Sequence, residues 1–277
     1  MDSEQAAVLA TLHRYFDSIS NTAPPLTAAR SMVVGEAGRV ICPGAGMSPA
    51  FYTMSQTLDI LEDRVRETPG IAERFVDPEP EVWVHNDLAC IWTGSEQSVG
   101  GEGLRRGVHI FSLLRHPEPG AGWKIAGVTT VARQVSDQPP PVIKDADSEV
   151  AIAVIQLIQN LLAAASQRDW ETFAAAFHTD MRASLSRGSW PPVVIDVDAL
   201  VDRLKAAAAT FPPGAVLKEE IHDVEVRVCG DLALVWAPFV VTVESTIRSL
   251  GVNIFRILKL GSEWKVVGFA DTSSPAQ

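Results

Sequence analysis

Cysteine is scarce in this chain of 277 residues: three occur, Cys42, Cys90 and Cys229. Cys90 and Cys229 lie inside apolar strand-like stretches, which fits buried reduced thiols and argues against a disulfide scaffold. Positive charge is also in deficit. The net charge is −11 and the pI about 5.0, a surface that repels phosphate backbones and anionic membranes. No apolar run reads as the roughly 18 residues of a membrane helix. The acidic start Met1-Asp2-Ser3-Glu4-Gln5 lacks the basic region of a secretory signal. These features predict a cytoplasmic protein with no nucleic-acid or membrane partner. His13, His85, His116, His178 and His222 are scattered without metal-ligand spacing. Gly100-Gly101-Glu102-Gly103 falls between two strand patterns, so it reads as a hairpin turn rather than a phosphate cradle. Neither a metal nor an organic cofactor is expected.

What the chain does have is a repeat. Asp87-Leu88-Ala89-Cys90-Ile91-Trp92 recurs as Asp231-Leu232-Ala233-Leu234-Val235-Trp236. Gly107-Val108-His109-Ile110-Phe111 recurs as Gly251-Val252-Asn253-Ile254-Phe255, at the same offset of 144 residues. Trp123-Lys124-Ile125-Ala126-Gly127 returns as Trp264-Lys265-Val266-Val267-Gly268 at an offset of 141. Three blocks in one order, at a period far too long for a solenoid, mean two copies of one domain. The stiff Gln138-Pro139-Pro140-Pro141 separates them. The expected boundaries are a first copy at 1–135, a linker at 136–147 and a second copy at 148–277.

Each copy opens with apolar residues at helical spacing. Val8, Leu12, Tyr15 and Ile19 form the stripe in the first, and Val150, Val154, Leu157, Ile158, Leu161 and Ala165 in the second. Asp147 or Ser148 would cap the second. Shorter helices are predicted near 26–33 and 169–177, then third helices near 56–66 and 198–209. Strands follow, beginning at Glu81-Val82-Trp83-Val84 and at Asp223-Val224-Glu225-Val226-Arg227-Val228, and continue as an antiparallel meander. Helices first and an antiparallel sheet after is an α+β layout. The strands around His109 and Asn253 are apolar on both faces, so one copy's sheet is expected to cover the other's. Shared parity puts His109 and Asn253 with Phe111 and Phe255 on the helix-facing, concave side.

This order resembles the nuclear transport factor 2-like superfamily, the cone fold of ketosteroid isomerases, polyketide cyclases, scytalone dehydratase and limonene epoxide hydrolase. Gly230-Asp231-Leu232-Ala233-Leu234-Val235-Trp236-Ala237-Pro238-Phe239 carries the resemblance best, followed by the Gly-Val-x-x-Phe and Trp-Lys-Val blocks. Asn86 to Ser95 fits the same pattern less well. The likeness covers nearly all of the second copy and the C-terminal two-thirds of the first. It implies two tandem cone-shaped domains, each with helices on a curved sheet and a largely apolar cavity. It also implies an intrachain pseudo-dimer, and leaves room for a homodimer of the tandem chain.

The resemblance places polar chemistry on the last strands. Asp271 stands where cyclase-like relatives often carry an Asp, and Thr130 takes that place in the first copy. A carboxylate beside an apolar cavity can act as a base; a strand-end turn cap is the competing role. Asp271 also shares parity with Lys265, which points to an exposed edge. His109 takes a position where many relatives carry Asp and suits proton transfer, or equally a satisfied core histidine. Asn253 can polarise a carbonyl. Tyr15, Phe16, Trp92, Phe111, Trp236 and Phe255 are candidates for a hydrophobic substrate wall. Three functions stay open. The first is a cofactor-independent isomerase, cyclase, dehydratase or hydrolase acting on a hydrophobic small molecule. The others are a carrier with the same cavity and a structural module whose cone is filled.

Overall fold

The computed structural model describes residues 1–20, 23–36, 38–42, 49–118, 120–135, 141–186, 192–212 and 215–276. The chain divides into two units, Met1–Pro141 and Val142–Gln277.

In the first unit, α1 (Ser3–Ile19) starts at Asp2, whose carboxylate accepts from the Glu4 and Gln5 amides while the Gln5 side chain closes a capping box. Its stripe of Val8, Leu12, Tyr15, Phe16 and Ile19 is buried. There follow α2 (Thr27–Ser31), β1 (Arg39–Cys42), β2 (Ala50–Thr53) and α3 (Met54–Glu67), the last capped by Thr53. Then β3 (Ile71–His85), β4 (Leu88–Val99), β5 (Glu102–Arg115) and β6 (Trp123–Gln134) run as an antiparallel meander. The sheet order is β2-β1-β6-β5-β4-β3, with β1 parallel to β6.

The second unit repeats this plan with β7 (Val142–Ile143), α4 (Glu149–Gln167), α5 (Trp170–Ala175), β8 (Phe177–Ser186), β9 (Val193–Ile195) and α6 (Val197–Ala209). Its meander is β10 (Leu217–Ile221), β11 (Glu225–Cys229), β12 (Leu232–Val243), β13 (Thr246–Leu260) and β14 (Glu263–Pro275). The order is β7-β11-β12-β13-β14-β8-β9, with β10 also on β12. Ser148 supplies the cap of α4. Residues 136–140 of the expected linker lie outside the described residues, and Val142–Ile143 add a short strand to the second sheet.

Three expectations need correction. The first long strand starts at Ile71, not near Glu81. Asp77-Pro78-Glu79-Pro80 breaks the alternation, and the ladder absorbs it as a register shift between Val76 and Glu81. At the matching place in the second unit the chain is split into β10 and β11. Second, α4 is by length and composition apolar enough to cross a membrane, with a hydropathy of 1.5 over its window. Gln and Asn interrupt its apolar run, but the Ile, Leu and Val residues outweigh them in the mean. Its Val154, Ile158, Leu161 and Leu162 pack into the core of the second unit. Third, Asp271 does not share a face with Lys265. The β13–β14 register shifts between Arg256 and Ile257, leaving Val267 as an extra residue, so parity inverts along β14. The β5–β6 pair carries the same bulge, with Ala126 extra.

Helices cover one sheet face in each unit. In the first, Leu12, Phe16, Leu58, Ile91, Phe111 and Ile125 share a core; in the second, Ile158, Phe173, Leu200, Val235, Phe255 and Ile257 do. The repeat's glycine has a steric reason. A Cβ on Gly107 would stand 2.7 Å from the Val131 carbonyl oxygen, and one on Gly251 2.0 Å from that of Thr272. Only glycine lets the neighbouring strand approach so closely.

Candidate functional site

Between α1, α3 and the concave face of the first sheet lies a cavity of about 360 Å³. Tyr15, Phe16, Phe111 and Val128 make its buried apolar wall, with Glu73, Ser95, His109 and Thr130 as the polar groups beside it. Strand register brings these together. His109 stands opposite Thr93 and Thr130, Ser95 opposite Gly107, and Glu73 opposite Gln97.

Ser95 Oγ donates to Glu73 Oε1 at 2.6 Å. His109 Nε2 lies 2.5 Å from Ser95 Oγ and 3.3 Å from Glu73 Oε1. Because the Ser95 proton points at Glu73, Ser95 accepts from His109, and Nε2 carries the ring proton. Nδ1 is then the lone-pair nitrogen, and among the described residues it has no partner. The ring stacks on Phe111, centroids 5.7 Å apart. Ser20 pins the carboxylate's backbone: the Glu73 amide donates to Ser20 Oγ at 2.9 Å.

The electrostatics follow from this cluster. Burial pushes the Glu73 carboxyl up, but the hydrogen bond and charge of His109, then Ser95 and Arg64, outweigh it and hold Glu73 below the ordinary carboxylate range. Burial, then the Glu73 charge, raises the Tyr15 phenol. Burial likewise raises the Cys42 thiol. Among the described residues, Thr130 Oγ1 is buried without a hydrogen-bond partner.

The second unit holds a smaller cavity of about 130 Å³, lined by Phe173, Leu200, Phe255 and Phe269 with Glu219, Asn253 and Asp271. Asn253 Nδ2 donates to Glu219 Oε1 at 2.6 Å. Glu219 pairs with Val241 as Glu73 pairs with Gln97, so the two carboxylates occupy matching ladder positions. Asn253 faces Asp271 as His109 faces Thr130. Phe239 takes the place of Ser95, opposite Gly251.

The structure therefore brings Tyr15, Phe16, Phe111 and His109 to one cavity, and Phe255, Asn253 and Asp271 to the other. Trp92 and Trp236 line neither. They pair with Ile110 and Ile254, at the alternate positions that face away from the helices, so their assignment to a substrate wall is corrected. Sequence reasoning missed Glu73, Ser95 and Glu219. The available signal was positional: Glu73 stands 14 residues ahead of Asp87 and Glu219 12 ahead of Asp231, at the Asp-Leu-Ala block.

Residues 147–268 match the SnoaL-like domain family. The match runs from α4 into the first half of β14, and thus takes in Glu219 and Asn253 but stops before Asp271. Among curated proteins none matches the chain. Solved structures similar to it include a protein with a cystatin-like fold from Nostoc punctiforme, 14% identical over 47% of this chain and 95% of that one, with a TM-score of 0.40. A nuclear transport factor 2-like protein from Pseudomonas putida is 18% identical over 47% and 89%, TM-score 0.39. Another from Cytophaga hutchinsonii is 14% identical over 46% and 99%, TM-score 0.38. Each match covers a little under half of this chain.

Proposed function

We propose that the first unit is a cofactor-independent acid–base catalyst acting on a small, largely apolar molecule, with His109 as its proton-transfer group. The observation that carries this reading is the placement of His109 in the wall of the 360 Å³ cavity, tied to Ser95 and Glu73 through Nε2 alone. That leaves Nδ1 to take a proton. Glu73, held ionised, then offsets the charge of the imidazolium that forms.

The chemistry is proton abstraction next to a carbonyl. A C–H bond breaks, Nδ1 takes the proton and the electron pair moves to the carbonyl oxygen. Thr130 Oγ1, with no partner among the described residues, is available to donate to that oxygen. Return of the proton to a different carbon is an isomerisation. Its delivery to a departing β-hydroxyl, lost as water, is a dehydration. In the second unit Asn253 replaces the imidazole and the cavity is about a third the size. We assign that unit no turnover of its own.

The test is deuterium exchange at the α-carbon of 2-tetralone, a neutral aromatic ketone, followed by NMR in heavy water. Wild-type protein should accelerate exchange, and His109→Gln should lose about 10²–10⁴ of that rate while keeping its circular dichroism. Equal rates for both proteins would sink the proposal.

A further inference from the structure

The cavity's open end differs in character from its buried wall. Arg64 of α3 and Arg105 of β5 are both exposed and both line it, next to Gln97 and Tyr52. Arg105 stands directly opposite Gln97 in the ladder, and Arg64 Nη1 donates weakly to Gln97 Oε1 at 3.4 Å. Neither guanidinium has a carboxylate partner among the described residues. This contrasts with Arg30, Arg66, Arg74, Arg106 and Arg115, each of which holds an acidic side chain. In a chain of net charge −11, two guanidiniums without a salt-bridge partner among the described residues at one cavity mouth run against the prevailing sign. Among the described residues Glu73 is the one carboxylate lining the cavity; it is bonded to Ser95 and close to His109, and Arg64 acts on it through charge alone. An anion would thus be repelled at the His109 end and attracted at the mouth.

We infer that the substrate is an amphipathic anion: its carboxylate is held at the mouth by Arg64 and Arg105, and its apolar body extends inward to His109. This rests on the reading of the cavity as a substrate site and adds the polarity and orientation of what enters it. Planar guanidiniums favour a carboxylate over a point anion because two parallel N–H bonds match its two oxygens. Both arginines are solvated, so the preference should be modest and sensitive to salt.

The experiment compares 2-naphthoate with 2-naphthamide, which share an apolar body and differ in charge. Binding is measured by titration calorimetry at low and high salt. Wild-type protein should prefer the carboxylate by about fivefold to tenfold at low salt, from two exposed charge contacts, and lose most of that preference at high salt. The double variant Arg64→Gln, Arg105→Gln should bind both ligands alike. His109→Gln should keep the preference. On naphthoate binding, the Nε–H signals of Arg64 and Arg105 should shift in nitrogen-edited NMR spectra. Equal affinity of wild-type protein for the two ligands, or a preference that survives in the double variant, would overturn the inference. 2-Tetralone carries no charge, so its exchange tests the catalytic reading alone. Preference without exchange keeps the anion anchor and removes the catalyst; exchange without preference does the reverse.

Discussion

Asn253 donates through Nδ2 to Glu219 Oε1 at 2.6 Å, in the position where His109 meets Glu73 in the other unit. A carboxylate bonded across the concave face to the middle strand is thus common to both halves, and only in the first is the partner able to move a proton. Asn253→Leu removes a charge-assisted bond from the carboxylate. We expect it to cost about 1–3 kcal/mol in urea unfolding and to leave 2-tetralone exchange by the first unit intact. A loss of exchange equal to that of His109→Gln would show that the second unit takes part in the chemistry.

Thr130→Val tests the lone hydroxyl. Because Oγ1 is buried without a partner among the described residues, its removal should be neutral or stabilise the ligand-free protein by up to about 1 kcal/mol. The same substitution should slow exchange on 2-tetralone if the hydroxyl meets the carbonyl oxygen. Destabilisation beyond about 1 kcal/mol would mean that Oγ1 is satisfied in solution.

Glu96 links acid sensitivity to structure. Its side chain is buried between Arg74 and Arg106, each 2.6 Å away. Hydrogen bonds from Arg106 and then Arg74 hold its carboxyl below the ordinary range. A depressed folded-state value means that the stabilisation is present above the unfolded value of about 4.3 and disappears as pH falls through the folded one. Glu96→Gln should therefore be less stable than wild type by about 1 kcal/mol at pH 7. The two melting curves should converge below about pH 4. A difference that stays constant between pH 7 and pH 3 would refute this linkage.

Glycine substitutions should rank by clearance. Gly251→Ala drives a Cβ to 2.0 Å from a backbone oxygen, whereas Gly107→Ala reaches 2.7 Å. Overpacking of this kind costs about 1–3 kcal/mol. The Gly251 variant should lie at or above the top of that range and the Gly107 variant lower, as read from denaturant midpoints.

Much of this architecture is legible in the chain. The helical stripes of α1 and α4, the repeated Asp-Leu-Ala block and the strand parity around Phe111 and Phe255 all have direct periodic signals. The carboxylates are harder to see. Glu73 belongs to a strand whose alternation is broken by Pro78 and Pro80, and Glu219 lies in Lys218-Glu219-Glu220, which reads as a solvated run. Orientation of Asp271 depends on one extra residue, Val267, and a bulge leaves no periodic mark of its own. For Trp92 and Trp236, aromatic bulk gives no information about which face of a strand it occupies; the ladder partner decides.

The matched ladders have an evolutionary consequence. In an assembly of two identical chains, any mutation alters both chambers at once, so neither can change without the other following. A chain that encodes its fold twice is free of that coupling. Ser95 and Phe239, or Thr130 and Asp271, stand at equivalent places yet are inherited separately. One half can thus be selected for reactivity while its twin drifts toward a tighter, more inert interior.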